Sequence, residues 1–219
     1  MHGIEILKSE KLDDWGGIFE RWIQELDKIL EITGGLEAPY VHCEHGNTHH
    51  FGVSAAMEGY ATIREVMGKR NDFSARLDLA LVSDRYLDIV ESKWWEFSLL
   101  RLPSKSIIKD KMSNACADAQ SYSSNEKLFS GIEKTIRRIG IAFFTPHYLE
   151  GQSFDEARVS ELISFIKLSV CPDIIAWSFP EKSRNLEYWH RKYPGIIAVV
   201  KLNETHHSLK VADPDGPIP

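Results

Sequence analysis

The chain has 219 residues, 43% of them hydrophobic, which is enough for one substantial core and too few for two comfortable ones. A net charge of -6 disfavours a protein that holds nucleic acid by bulk positive charge, because that attraction depends on clustered Lys and Arg. The longest apolar runs, 139–144 and 195–200, are strand-length and far short of the ~20 residues a membrane helix needs. The charged opening MHGIEILKSEKLDDW carries no secretory pattern, so a cytoplasmic protein with no membrane partner is expected.

Residues 13–32 set Trp15, Phe19, Trp22, Ile23, Leu26 and Ile29 at helical spacing, and Gly34 and Gly35 stop that helix before the turn at Pro39. A second helix is predicted over about 43–58, where Gly52, Ser54, Ala55 and Ala56 allow close packing on a sheet and Gly59 supplies a C-cap. A strand follows over 60–67, then a polar turn at 68–73. RLDLALV (76–82) and YLDIVESKWWEF (86–97) are the clearest β signals, and the short polar link between them predicts an antiparallel hairpin. One or two helices are expected within 105–137, a buried strand at IGIAFF (139–144), and an amphipathic helix over 154–168. DIIAWSF (173–179), a short helix near 184–192 and GIIAVVKL (195–202) then read as a βαβ-like alternation. The expected fold is α/β, a mixed central β-sheet flanked by helices in one domain over 1–210, with a flexible tail at 211–219.

The hairpin carries the chemistry. A turn centred between Asp84 and Arg85 places Asp78 opposite Glu91, and strand alternation puts Lys93 on the same face. Two carboxylates at cross-strand distance destabilise a sheet unless something cationic lies between them. A hard divalent ion, Mg²⁺ or Mn²⁺, suits such oxygen ligands, with Lys93 assisting the attacking water or neutralising charge on a phosphate. The competing reading is a ladder in which Asp78 and Glu91 pair with Arg76 and Lys93.

RLDLAL followed by YLDIVESKWW resembles the PD-(D/E)XK phosphodiesterase superfamily, restriction-endonuclease-like proteins whose core runs helix, three strands, helix, strand. The likeness spans roughly 41–145. It implies that Asp78 and Glu91 bind metal, that Lys93 supports catalysis, and that a glutamate on the first core helix adds a ligand. In a largely uncharacterised bacterial group of that superfamily the helix opens Asn-Glu-Arg-Ala, a Glu-aromatic pair follows, and the strand reads Arg-x-Asp-Leu. CEHG (43–46), Glu65 with Val66, and Arg76-Leu77-Asp78-Leu79 align with those features, which makes Glu44 the helix glutamate. Cys43 and His45 stand where that group has Asn and Arg. Glu58 is the competing carboxylate, and Glu65 could support from the first strand. The resemblance implies a metal-dependent nuclease, a DNA endonuclease of bacterial or mobile-element defence, restriction or repair. The alternative is a catalytically silent nucleic-acid or protein-binding module; DNA is the nucleic acid implied, and a homodimer or a partner protein is left open by the sequence. Asp118, Gln120, Ser121 and Tyr122 on the second core helix are further polar groups that could face the site.

Other constellations carry less. His42, Cys43, His45, His49 and His50 are dense enough to suggest zinc but lack a second ligand pair of matching spacing. Cys43, Cys116 and Cys171 have no CxxC spacing and read as free thiols. Trp94 and Trp95 point to opposite faces and are expected in the core, although one could stack on a base. His206 and His207 have no evident partners. Basic groups occur at Lys69 and Arg70, at Lys105, Lys109 and Lys111, and at Lys134, Arg137 and Arg138, each readable as an ordinary solvated face. Phosphate-binding glycine loops and a nucleophile elbow are absent.

Overall fold

The computed structural model describes residues 1–70, 73–122, 134–149 and 151–203, without the side chains of 9, 68–70 and 73. The side chains of Lys69 and Arg70, the histidines His206 and His207, and the tail at 211–219 lie outside the described residues.

The first half of the chain runs β1 (His2–Ile6), α1 (Ser9–Leu12), α2 (Gly16–Ile32), α3 (Glu44–Met57), β2 (Ala61–Arg70), β3 (Phe73–Val82) and β4 (Tyr86–Ser98). The second half runs α4 (Lys105–Ser121), β5 (Thr135–Leu149), α5 (Glu156–Val170), β6 (Ile174–Ser178), β7 (Glu187–Tyr188), β8 (Arg191–Lys192) and β9 (Ile196–Leu202). A mixed sheet has the order β1-β6-β9-β5-β4-β3-β2, with β8 and then β7 branching from the end of β5. β4 and β5 are parallel, and the other neighbours in that order are antiparallel.

Helices cover both faces, giving an α/β sandwich. On one side α2 and α3 bring Trp15, Phe19, Trp22 and Phe51 against Leu79, Val90, Ile141 and Phe143. On the other, Ile108, Met112 and Ala115 of α4 and Val159, Leu162 and Ile166 of α5 pack on Ala142, Phe144, Ile197 and Val199. β5 is therefore buried on both faces, which is why IGIAFF is continuously apolar rather than alternating. The helix starts are capped by side chains: Ser104 accepts from the Ile107 N–H, and Asp155 from the Ala157 N–H at 2.9 Å. Gly34 and Gly35, both at positive φ, end the α2 segment as expected.

Three expectations need correction. Residues 13–15 form a 3-10 turn ahead of α2 rather than its first turn, because Trp15 turns inward to donate its indole N–H to Asp88 at 3.0 Å. The segment 184–192 is not helical: a 3-10 turn (Glu181–Asn185) leads into the β7–β8 ribbon, whose turn residues Trp189 and His190 both have positive φ. The C-terminal strands are not a simple βαβ unit. β5 and β6 are joined across α5, but β9 inserts between them, antiparallel to both. β1, whose partner β6 lies at the far end of the chain, is an edge strand absent from the sequence-based expectation.

The basic group at 134–138 also proves to be no surface patch. Arg137 is 5% exposed and bridges two carboxylates, donating to Asp88 at 2.6 and 2.7 Å and to Asp14 at 2.8 Å through two nitrogens. Its guanidinium lies over the Tyr86 ring, and Tyr60 donates to Asp14 at 2.8 Å. Arg138 donates to the Tyr122 carbonyl and Lys134 to that of Asp84. This network ties the N-terminal turn to β4 and β5. Arg137→Leu leaves buried Asp88 without its cation and should lower stability by about 3–5 kcal/mol; urea denaturation followed by tryptophan emission measures the loss.

Candidate active site between two parting strands

The β3–β4 hairpin adopts the register that a turn centred at 84–85 requires, pairing Leu79 with Val90, Ala80 with Ile89, Leu81 with Asp88 and Val82 with Leu87. The ladder stops one step short of Asp78 and Glu91. β4 continues alongside β5 as far as Ser98, so beyond Val90 its other edge opens. On the far side of β3 the β2 ladder also skips the level of Asp78, where Glu65 sits with φ of 52°.

Carboxylates occupy the opened edge. Asp78 Oδ2 accepts from both the backbone N–H of Ser92 at 2.8 Å and its hydroxyl at 2.9 Å. Glu91 Oε1 receives the Asp78 N–H at 3.4 Å. Glu44, at the first position of α3, accepts the Trp94 N–H at 2.9 Å. Thr48, one turn further along α3, shares a 2.7 Å hydrogen bond with the Ser92 hydroxyl. Lys93 points to the other face, where its ammonium meets Asp118 of α4 at 2.9 Å. α4 comes close there because Gly140, opposite Glu91 on β5, has no side chain: a Cβ at that position would stand 2.7 Å from the Cys116 amide nitrogen.

The structure thus gathers Asp78, Glu91, Glu44 and Lys93 at one place. It sets Glu58 apart, at the C-terminal end of α3, where it pairs with Arg21 at 3.1 Å. Glu58 instead lines a cleft of about 690 Å³ at the turn end of the hairpin, with Asp14, Tyr60 and Tyr86. Glu65 reaches Arg76 at 2.6 Å and His45 at 3.5 Å, bordering the site from β2. Since Arg76 serves Glu65 and Lys93 serves Asp118, the cross-strand ladder between Arg76, Asp78, Glu91 and Lys93 is not what forms.

Of the four α4 groups, Asp118 meets Lys93, the Ser121 hydroxyl turns back to the Asp118 carbonyl, and Tyr122 is buried under β3 and β4. Gln120 is half-buried. The histidines disperse: His42 bonds Glu37, His49 meets Arg64, and buried His50 reaches the Trp22 carbonyl. The cysteines are free. Trp94 and Trp95 pack into the cores on opposite faces. Sequence reasoning missed Ser92 and Thr48. Their signal was available, since Thr48 lies one helical turn from Glu44 and Ser92 alternates between Glu91 and Lys93.

The local field is acidic. Burial raises the Glu44 carboxyl above its ordinary value, Lys93 pulls it back, and the Asp78 charge raises it again. Burial alone would lower Lys93, but the Asp118 hydrogen bond and the charges of Glu44, Asp118 and Glu91 outweigh it, leaving the ammonium above the usual lysine value. Lys93 is accordingly a cation at neutral pH, not a base. Among the described residues no three His, Cys, Asp or Glu side chains are placed to hold a metal ion together. No helix among them is long and apolar enough to cross a membrane. Comparison of the chain with family models, curated proteins and solved structures returned no match.

The Glu44 shift has a consequence for stability. A carboxyl whose folded pKa is raised costs stability as pH climbs from its unfolded value through the raised one, and the full cost is present above both. Glu44→Gln keeps an acceptor for the Trp94 N–H and removes the charge, so it should stabilise the fold at pH 7. That gain should vanish below about pH 4, where both side chains are neutral; paired urea titrations at the two pH values test it.

Proposed function

We propose that the chain is a divalent-metal-dependent phosphodiester hydrolase of the PD-(D/E)XK kind, a nuclease acting on DNA. The observation that carries this reading is the opened edge of β4, where Asp78 and Glu44 accept the backbone N–H groups of Ser92 and Trp94, Glu91 receives the Asp78 N–H, and Lys93 lies beside Asp118. Carboxylates gathered at such an edge are the oxygen donors a hard divalent cation takes. The order α3, β2, β3, β4, α4, β5, with β4 and β5 parallel, supports the restriction-endonuclease-like core.

The donor chemistry fits Mg²⁺ or Mn²⁺. Hydrogen bonds to the backbone use one oxygen each of Asp78 and Glu44, and an ionised carboxylate has two oxygens able to accept or ligate. Mg²⁺ requires only one or two protein carboxylates when water and phosphate complete its shell, so a preformed three-ligand cage is not needed. Asp78, Glu91 and Glu44 are the residues to hold it. When bound, the ion supplies Lewis-acid polarisation of the phosphate and a more acidic water. The protein's own part is orientation and charge. Ser92, held by Thr48, fixes Asp78 through two hydrogen bonds. Lys93, kept protonated, stabilises negative charge as it develops on the phosphate, and Asp118 positions it.

Incubating linear and supercoiled DNA with Mg²⁺ or Mn²⁺ tests the reading. Wild type should cleave, and EDTA should stop it. Asp78→Ala and Lys93→Ala should each lose at least about a hundredfold in rate, as expected for removal of a charge-stabilising group. Glu58→Ala, at the far end of α3, should retain wild-type activity. Metal-independent behaviour shared by wild type and both site variants would sink the nuclease claim and leave a non-cleaving module.

A further inference from the structure

The β7–β8 ribbon presents the most exposed tryptophan of the molecule. Trp189 is 78% exposed, whereas Trp15 and Trp22 are fully buried and Trp94, Trp95 and Trp177 are half-buried or packed on a core. It sits in a two-residue turn with His190, and both have φ near +55 to +59°. Such turns favour Asn-Gly, because a bulky side chain is strained at positive φ. The chain therefore bears an exposed indole and an unfavourable backbone at the same point, a combination that packing does not explain.

The ribbon is fastened beside the candidate active site. Tyr188 packs edge-on against His42, their ring centroids 5.3 Å apart, and His42 lies two residues before Glu44. On the other strand Arg191 is ion-paired with Glu96, and Tyr193 donates to the same carboxylate at 2.8 Å. Glu96 is three residues beyond Lys93 on β4, about 10 Å along the strand. Both anchors place the ribbon at the end of the sheet where β4 is open. Exposed His190 and then Arg191 and Lys192 follow the indole, Arg191 being paired with Glu96.

We propose that this ribbon binds single-stranded nucleic acid, the Trp189 indole stacking on an unpaired base of the strand delivered to the site between β3 and β4. The proposal rests on the nuclease reading and deepens it by naming the substrate form. An indole at a narrow ribbon tip can cover only a base face that is free, and in a duplex those faces are covered by neighbouring pairs. Stacking of this kind is sequence-tolerant, because each base offers a π-face.

The test uses Trp189→Asn combined with His190→Gly, which supplies the residues the turn prefers and so preserves folding. Fluorescence anisotropy with a labelled single-stranded oligonucleotide and the matching duplex is measured in EDTA, where no cleavage occurs. The double variant should bind the single strand about tenfold more weakly or worse, the order of one lost base stack, with an unchanged or higher Tm. Trp189→Phe should retain most of the affinity. Oligonucleotide should quench wild-type tryptophan emission and quench the double variant much less. Equal single-strand affinity in wild type and double variant overturns the proposal, and if Asp78→Ala has meanwhile lost cleavage, the nuclease reading survives it. Conversely, weaker binding by the ribbon variant alongside full cleavage by Asp78→Ala leaves the ribbon as a nucleic-acid contact and removes the catalytic assignment. A wild-type dimer that becomes monomeric in the double variant, seen by sedimentation, overturns the proposal in favour of self-contact.

Discussion

Where β3 and β4 part, the N–H groups of Ser92 and Trp94 face a gap with no strand to accept them. A backbone donor left without a partner in a half-buried place costs about as much as a lost hydrogen bond. Asp78 and Glu44 answer that need, one from the diverging strand and one from the start of α3. Much of the local architecture follows from this. α3 must present its first turn to the opened edge, Thr48 must hold Ser92 from the next turn, and α4 must approach β5 closely enough for Asp118 to receive Lys93. Gly140 makes that last approach possible.

β4 carries acidic residues in two settings, and the contrast between them is informative. Asp88 is fully buried and shares with Asp14 a guanidinium that donates to both, with Trp15 and Tyr60 filling further positions. Every group in that network has a partner of the right kind, so it serves to lock the N-terminal turn against the sheet. Three residues further along, Glu91 lies beside Asp78 and Glu44, which accept backbone N–H groups of β4. Burial above all, with the Asp78 charge as a smaller contribution, raises the Glu44 carboxyl above its ordinary value.

The fold brings a second feature to the same end of the sheet. β5 outlasts β4 in length and offers its final residues to β8, so the ribbon grows from the strand that also backs Glu91 and Lys93. Its attachment uses Glu96 of β4 and His42 ahead of α3, the two elements that define the opened edge. The exposed Trp189 thus lies on a ribbon fastened to the same two elements that hold Glu44 and Glu91.

Much of this was legible in the chain. The hairpin register followed from turn position and strand alternation, which set Asp78 level with Glu91, because side-chain direction in a strand is set locally by a period of two; the turn of Lys93 toward Asp118 of α4, away from Asp78, came only with the fold. The helices α2 and α5 were evident from three-and-four spacing, α3 from its small residues and Gly59, and IGIAFF from its apolar run. What only the tertiary structure decided were relations between distant segments: that the ladder ends at Asp78, that Glu44 rather than Glu58 reaches the site, that Arg137 is internal, and that 187–192 forms a ribbon. Each depends on long-range packing, for which local sequence holds no term. Glu44 and Glu58 sit at opposite ends of one helix, and their spacing is equally compatible with either answer. The docking of α3 against β4 makes the choice, because it brings the first turn of α3 to the Trp94 N–H, which donates to Glu44.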